Sequence, residues 1–249
     1  MPFGNGEYDV RIENESGRIN INLAKKSLLK AMLSGFEIDE SEKNVITDSI
    51  LDWRDADRNH RLNGAENDYY QSLPDPYECK DDDFDSSDEL LLVRGITPEI
   101  YYQGLEKFVT VFPKSKKQDR AQKSKNKEFD YNKLNVNAIP SEMWAALPGM
   151  TEELISEIVT YRAEKDFNSL SEVQRIIGPD VFRGLSRYLT VRTTPYYTIS
   201  STGKIQASRI SQGVTAVILF NNQNREKYQI IEWIDEIFYQ NHFKGLSVS

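Results

Sequence analysis

Polar and apolar residues alternate at both ends of the chain and follow a helical period between them. Tyr8, Val10 and Ile12 alternate with Glu7, Asp9, Arg11 and Glu13, and after Glu15-Ser16-Gly17 the alternation resumes at Ile19 and Ile21. A period of two puts alternate side chains on one face of a strand, so this stretch predicts a hairpin. Leu29, Met32, Leu33 and Phe36 then fall at helical spacing with Gly35 as a stop. Val45, Ile46, Ile50 and Trp53 do the same behind Asp39 or Ser41 as a cap. Strand patterning returns at 196–200, 205–220 and 228–233, with a turn at 221–224. Strands, a long helical middle, then strands predict one α+β domain interrupted by a large helical insertion.

The middle repeats a theme. Glu89-Leu-Leu-Leu-Val-Arg-Gly-Ile-Thr-Pro-Glu99 leads to Phe108-Val-Thr-Val-Phe-Pro113. Glu172-Val-Gln-Arg-Ile-Ile-Gly-Pro-Asp180 leads to Tyr188-Leu-Thr-Val-Arg-Thr-Thr-Pro195, and Ala146-Leu-Pro-Gly-Met-Thr-Glu-Glu153 is a shorter copy. Each is an apolar helix end, a glycine turn and a capped new helix. Pro98 and Pro179 suit a first helical position, and Ser169 with Glu172 makes a capping box. Compact helical packing accounts for these units as readily as a binding role. Between them, 114–133 holds eight basic and three acidic side chains and reads as a solvated linker.

Charge sharpens the picture. Of 249 residues with a net charge of −8, the stretch 52–89 alone carries 13 acidic and 4 basic side chains. One acidic block therefore sits in a nearly neutral protein; it repels nucleic acid and anionic lipid and attracts cations. No window holds the ~20 apolar residues of a membrane span. The first six residues lack the basic end and apolar run of a signal peptide. The single cysteine, Cys79, excludes an intrachain disulfide and a multi-cysteine zinc site.

Within the block, Asp55, Asp57, Asn59, Arg61, Asn63 and Glu66 occupy positions 1, 3, 5, 7, 9 and 12 of a calcium-loop spacing. Ca²⁺ needs six to eight oxygens. Short carboxylates and amides on alternate residues face inward from a curling chain, position 7 offers its carbonyl, and a longer Glu closes the shell. His60 departs from the pattern, because position 6 is normally glycine. Asp68, Asp88 and Glu89 are further candidates for the shell. A structureless loop this long needs something to order it, which favours an ion. A site of this kind binds at roughly 10⁻⁴ to 10⁻³ M, as extracellular modules do, and so points outside the cytoplasm.

Leu147-Pro-Gly-Met-Thr151 resembles the hairpin of helix-hairpin-helix modules, whose backbone N–H groups hold a phosphate at a helix start. Thr151 replaces the second glycine, and Glu152, Glu153 and Glu157 open the next helix, so nucleic-acid binding is the weaker reading. Catalysis finds little purchase. His60 lies in the ion loop, His242 lies near the C-terminus, Cys79 is set among acidic residues, and there is no glycine-rich phosphate loop.

Asp52-Trp-Arg-Asp-Ala-Asp57, Asn63-Gly-Ala-Glu-Asn-Asp-Tyr-Tyr70, the run 89–99, Asn135-Val-Asn137 and Ala146-Leu-Pro-Gly149 occur in that order across 45–195. Together they resemble the minor pseudopilin K family of bacterial type II secretion. The resemblance implies a pilin-like α+β domain, at 1–23 and 191–249, interrupted by an all-α insertion at 24–190 with helix-hairpin-helix-like units. It implies a non-enzymatic subunit at the tip of the periplasmic pseudopilus, assembled with minor pseudopilins of the I and J types, with secreted cargo as a further partner. Family members bind calcium through acidic residues. That carries ligand roles onto Asp55, Asp57, Arg61 (through its carbonyl), Glu66 and Asp68, beside Asn59 and Asn63 from the loop spacing. Family precursors begin with a basic leader and a hydrophobic helix that anchors them in the inner membrane. The sequence in hand is expected to be the soluble part without that helix.

Overall fold

A computed structural model describes residues 2–3, 5–114, 129–205, 210–220 and 227–239. Most of the expected basic linker, the turn at 221–224 and His242 lie outside them. In chain order the elements are β1 (Pro2–Phe3), β2 (Gly6–Asn14), β3 (Ile19–Asn20), α1 (Lys26–Met32), α2 (Glu40–Arg54), α3 (Asn67–Gln71), α4 (Pro98–Ile100), α5 (Glu106–Phe108), β4 (Val109–Thr110) and β5 (Leu134–Asn135). Then follow α6 (Ser141–Ala146), α7 (Glu152–Glu164), α8 (Leu170–Leu185), β6 (Leu189–Thr190), β7 (Tyr196–Ile205), β8 (Ile210–Phe220) and β9 (Tyr228–Tyr239). Two compact units result: Met1–Asn14 with Thr194–Ser249, and Glu15–Thr193. Expected at 23/24 and 190/191, the boundaries fall at 14/15 and 193/194.

The first unit is an antiparallel sheet in the order β1-β2-β7-β8-β9. Its register pairs Ile12 with Ile199, Ile199 with Ala216, and Ala216 with Trp233. These residues, with Val10, Val214 and Ile218, share one face. Glu7, Asp9, Arg11 and Glu13 take the other, opposite Lys204, Thr202, Ser200 and Thr198. A register shift at Val217/Ile218 keeps Ile218 opposite Ile230, so the apolar face continues into β9.

The expected hairpin across 8–22 does not form. The partner of β2 is β7, from Gly6↔Ile205 to Asn14↔Tyr197. Glu15-Ser16-Gly17 is a buried 3₁₀ turn, not a hairpin loop. A Cβ at Gly17 would lie 2.1 Å from the Ala138 carbonyl oxygen. Glycine lets the chain press into the second unit there, and Ile19 and Ile21 become part of that unit's core.

The second unit is helical around a continuous core. Leu28, Leu29, Met32 and Leu33 are buried, as are Ile46, Ile50 and Trp53 of the neighbouring α2, and Trp144 is fully buried in α6. Asp39 caps α2 in a capping box with Glu42, and Ser169 caps α8 with Glu172. These caps satisfy backbone N–H groups that the first helical turn leaves unpaired. Pro179 follows Gly178, whose φ of 78° bends α8 and lets the proline restart it. The insertion is not all-α. Two short parallel ladders, β3–β4 and β5–β6, tie it together where β-branched and amide residues leave the helices. Among the described residues, no helix is long and apolar enough to cross a membrane.

Candidate metal centre

The capping box starts α2 and fixes its phase, so Asp48 and Asp52 fall on the buried face near its end. Fully buried, Asp52 accepts the Arg61 backbone N–H at 3.1 Å and is also bridged by the Arg61 guanidinium. The same guanidinium reaches Asp55 Oδ2 at 2.6 Å. Burial pushes the Asp52 pKa up, and the Arg61 contacts oppose that rise. This clamp closes the loop 55–66 onto the helix that precedes it. Arg94 closes it from the far side, donating to the Gly64 carbonyl at 3.0 Å and lying over the Tyr69 ring at 4.6 Å. Trp53 forms the floor, in ring contact with Tyr70, Tyr77 and Phe84.

Three carboxylates stand out inside this frame. Glu66, only 2% exposed, has no N–H or O–H donor on either oxygen among the described residues, only the weak Cys79 thiol. Asp55 Oδ1 and Asp81 Oδ1 are also buried without a partner. Burial first, then the charges of Asp81, Asp52 and Asp55, push the Glu66 pKa up to about 7. The Cys79 thiol, pushed up to about 12 chiefly by burial, completes the group. Ligand atoms of Glu66, Cys79 and Asp81 all lie within 4.8 Å of one another.

Local backbone places the later two residues. The Cys79 N–H donates to Asn67 Oδ1 at 3.0 Å, which docks segment 79–81 against the start of α3. Asp81 has a left-handed φ of 52°, a conformation that Asp tolerates better than most residues. Nearby, Asn22 holds Phe84 by two hydrogen bonds, to its carbonyl and from its N–H, and Lys80 pairs with Asp85 and Glu89. The strained Asp81 is thus pinned on its C-terminal side.

Buried carboxylate oxygens without donors are costly. A divalent cation removes that cost directly, since it satisfies orphaned oxygens and cancels their mutual repulsion. Opposite oxygens around Ca²⁺ at 2.3–2.6 Å stand about 4.6–5.2 Å apart. Ligand atoms that lie within 4.8 Å of one another leave room for such an ion between them, and the two carboxylates suit it.

The expected ligands divide. Glu66 belongs to the cluster, and Asp55 lies near enough for its charge to raise the Glu66 pKa. Arg61 enters by its side chain, while its carbonyl accepts the Gly64 N–H at 3.0 Å. Asp57 is exposed and accepts from both the backbone and the side chain of Asn59. Asn63 turns away to donate to Asp48 at 3.1 Å. Asp68 is exposed and accepts the Tyr69 N–H. Asp88 is bound by the Tyr101 hydroxyl, and Glu89 by Lys80. With His60 in place of glycine at position 6, the loop does not curl tightly around one point. Segment 79–81 completes the cluster instead. Its signal in the sequence was only an acidic run, Asp81-Asp82-Asp83, with no spacing to single out one residue.

A family described as type II secretion system protein K matches residues 12–114, the segment that holds this whole cluster. Over that segment the chain is similar to the type II secretion system protein K family. The protein K of Pectobacterium carotovorum subsp. carotovorum is 28% identical over 66% of this chain and 46% of its own length. That of Aeromonas hydrophila is 35% identical over 35% of this chain and 26% of its own length. That of Pseudomonas aeruginosa PAO1 is 29% identical over 60% and 44%. The chain spans about half the length of the curated relatives it matches first. Its fold is similar to a chain in the crystal structure of the GspK-GspI-GspJ complex from the enterotoxigenic Escherichia coli type 2 secretion system. The TM-score is 0.65 at 15% identity, over 95% of this chain and 82% of that one. Asp52, Asp55, Glu66, Cys79 and Asp81 all come from the matched segment.

Proposed function

We propose that this chain is a minor pseudopilin, a non-enzymatic assembly subunit of the periplasmic pseudopilus of type II secretion. It assembles with minor pseudopilins of the I and J types near the filament tip, and its helical unit is held by Ca²⁺ at Asp55, Glu66 and Asp81. The observation that carries this reading is the protein K match over 12–114, joined to a fold shared with a chain of the GspK-GspI-GspJ complex.

The ion has a structural part to play. It bridges the loop after α2 to segment 79–81, so it closes an acidic stretch that has little regular structure of its own. Bound there, a divalent cation supplies charge and coordination; the chain supplies the orientation, through the Arg61 clamp and the Asn67–Cys79 bond.

The runner-up, a helix-hairpin-helix module for nucleic acid, finds its own geometry opposed. Gly149 has the left-handed φ of 81° that such a hairpin needs. Yet Thr151 caps α7, and exposed Glu152 and Glu153 fill its first turn. A phosphate at that helix start would meet two carboxylates.

Mixing this chain with purified globular parts of the I- and J-type pseudopilins tests the assembly reading. Size-exclusion chromatography with light scattering should show one ternary species. Elution of the three as separate monomers at tens of micromolar, with this chain folded, would remove it.

A further inference from the structure

β9 is the longest strand among the described residues, and it lies at one edge of its sheet with β8 on one side only. An edge strand offers alternate N–H and C=O groups to solvent, and proteins shield such edges with short strands, proline, lysine or charge. The opposite edge is shielded in this way. There β1 is two residues long and begins with Pro2, and β2 sets Glu7, Asp9, Arg11 and Glu13 at alternate positions. β9 has neither proline nor lysine in its 12 residues. Tyr228, Ile230 and Trp233 share one face, paired with Phe220, Ile218 and Ala216, while Ile234 pairs with Thr215 on the other. All four side chains are half-exposed. Large apolar side chains on both faces of an edge gain burial when a further strand is laid beside them. Charge selects the kind of strand. The sequence of β9 carries Glu232, Asp235 and Glu236 and no Lys or Arg. A second copy brings the same three acids and no base, so like charges accumulate along a self-paired edge. A basic segment neutralises them.

We propose that the outer edge of β9 takes a further strand from a protein partner, an extended basic segment whose core reads base-apolar-apolar-base. The register sets that pattern. Glu232 and Ile234 lie on one face, and Trp233 and Asp235 lie on the other. A strand laid alongside places a base opposite Glu232, a second base opposite Asp235, and apolar residues opposite Trp233 and Ile234. Trp233 Nε1 donates to Asp235 Oδ1 at 3.3 Å, which holds the indole beside the carboxylate on that face. The core is the same in both directions, so it serves a parallel or an antiparallel strand. Main-chain hydrogen bonds supply affinity in such an addition, and the alternating side chains supply selectivity. The edge belongs to the strand unit and the ion site to the helical one, so the two are separate.

The probe is a dye-labelled peptide with a Lys-Val-Val-Lys core flanked by threonines, titrated into the full chain and followed by fluorescence anisotropy. The wild-type chain should bind it, and the same peptide with N-methylated backbone amides should not bind. Glu232→Lys with Asp235→Lys should weaken binding by about tenfold or more, since two attractive pairs become repulsive. That variant should instead take the Glu-Val-Val-Glu peptide, which also shows that it is folded. Asp82→Lys, an exposed change in the acidic stretch 52–89, should leave binding unchanged. Equal binding of the N-methylated peptide would overturn the added strand, because charge alone would then suffice. Full binding by the Glu232→Lys, Asp235→Lys chain, or its loss in Asp82→Lys, would overturn the place at β9. Loss of the basic peptide without gain of the acidic one, in a variant that melts as the wild type does, would overturn the charge pairing. No binding by the wild-type chain at millimolar peptide would overturn the proposal outright and leave assembly with I- and J-type subunits standing.

Discussion

Gly64 lies against the carboxylate of Asp52 so closely that a Cβ there would stand 1.7 Å from Oδ2. Asp52 has no freedom to yield, since it is fully buried and held by both the backbone and the side chain of Arg61. The contact explains why the loop carries glycine at this point. Its φ is not in the left-handed region, so the demand is for space. Gly64→Ala should destabilise the chain by about 1–3 kcal/mol, as overpacking does. Urea unfolding with an unchanged slope checks it.

Glu66 should give opposite signs with and without an ion. In the ion-free chain its carboxylate is buried and repelled by Asp81, Asp52 and Asp55. Glu66→Gln removes the charge and should raise the ion-free melting temperature. The same change should abolish the rise that Ca²⁺ produces in the wild type. Differential scanning calorimetry in EDTA and in millimolar Ca²⁺ measures both arms. A Glu66→Gln chain less stable than wild type in EDTA would contradict the account of repulsion.

The pH dependence follows from the same group. The folded pKa of Glu66 is about 7, raised from 4.5. Between those values the folded state binds more protons than the unfolded state, so ion-free stability falls as pH rises. The loss amounts to roughly 3 kcal/mol across that window if the whole shift is realised. The contribution is fully present below pH 4.5 and gone above about 7. Cation affinity should run the other way, weakening as pH drops below 7 and Glu66 takes up its proton. Denaturant midpoints in EDTA at pH 5 and pH 8, with Glu66→Gln as the flat control, check the slope.

Asp39→Ala probes the scaffold apart from the ion. The Asp39 side chain accepts the Glu42 N–H at 2.8 Å, and Glu42 returns the bond. Losing an N-cap of this kind costs about 1 kcal/mol. The variant should melt lower but keep its full Ca²⁺ response, because the cap lies at the far end of α2 from the loop. Paired melts of wild type and variant, each with and without Ca²⁺, check both parts.

What could be read from the sequence follows from which interactions are local. The capping box at Ser169 and a cap at Asp39 or Ser41 depend on near neighbours and were legible; that Asp39 forms a full box with Glu42 emerges only in the structure. The strands 196–205 and 210–220 carry their own period of two. The pairing of β2 was not legible, because its partner lies about 190 residues away and only tertiary packing at Gly17 turns the chain aside. The loop was found by its spacing, yet spacing misjudged its geometry. Arg61 uses its guanidinium where a carbonyl was expected, and Asn63 pairs with Asp48 on the preceding helix. Asp81 and Cys79 reach the cluster through the Asn67 contact, which no local pattern announces.

As proposed above, a divalent cation at Asp55, Glu66 and Asp81 holds the helical unit together. Thermal unfolding of the chain in EDTA, against the same chain in millimolar Ca²⁺, tests it most directly. A ligand that binds only the folded state contributes about 2.7 kcal/mol at a hundredfold excess over its dissociation constant. For a chain of this size that predicts a rise of several degrees, lost in Asp81→Ala. Superimposable melts in EDTA and Ca²⁺ would contradict it.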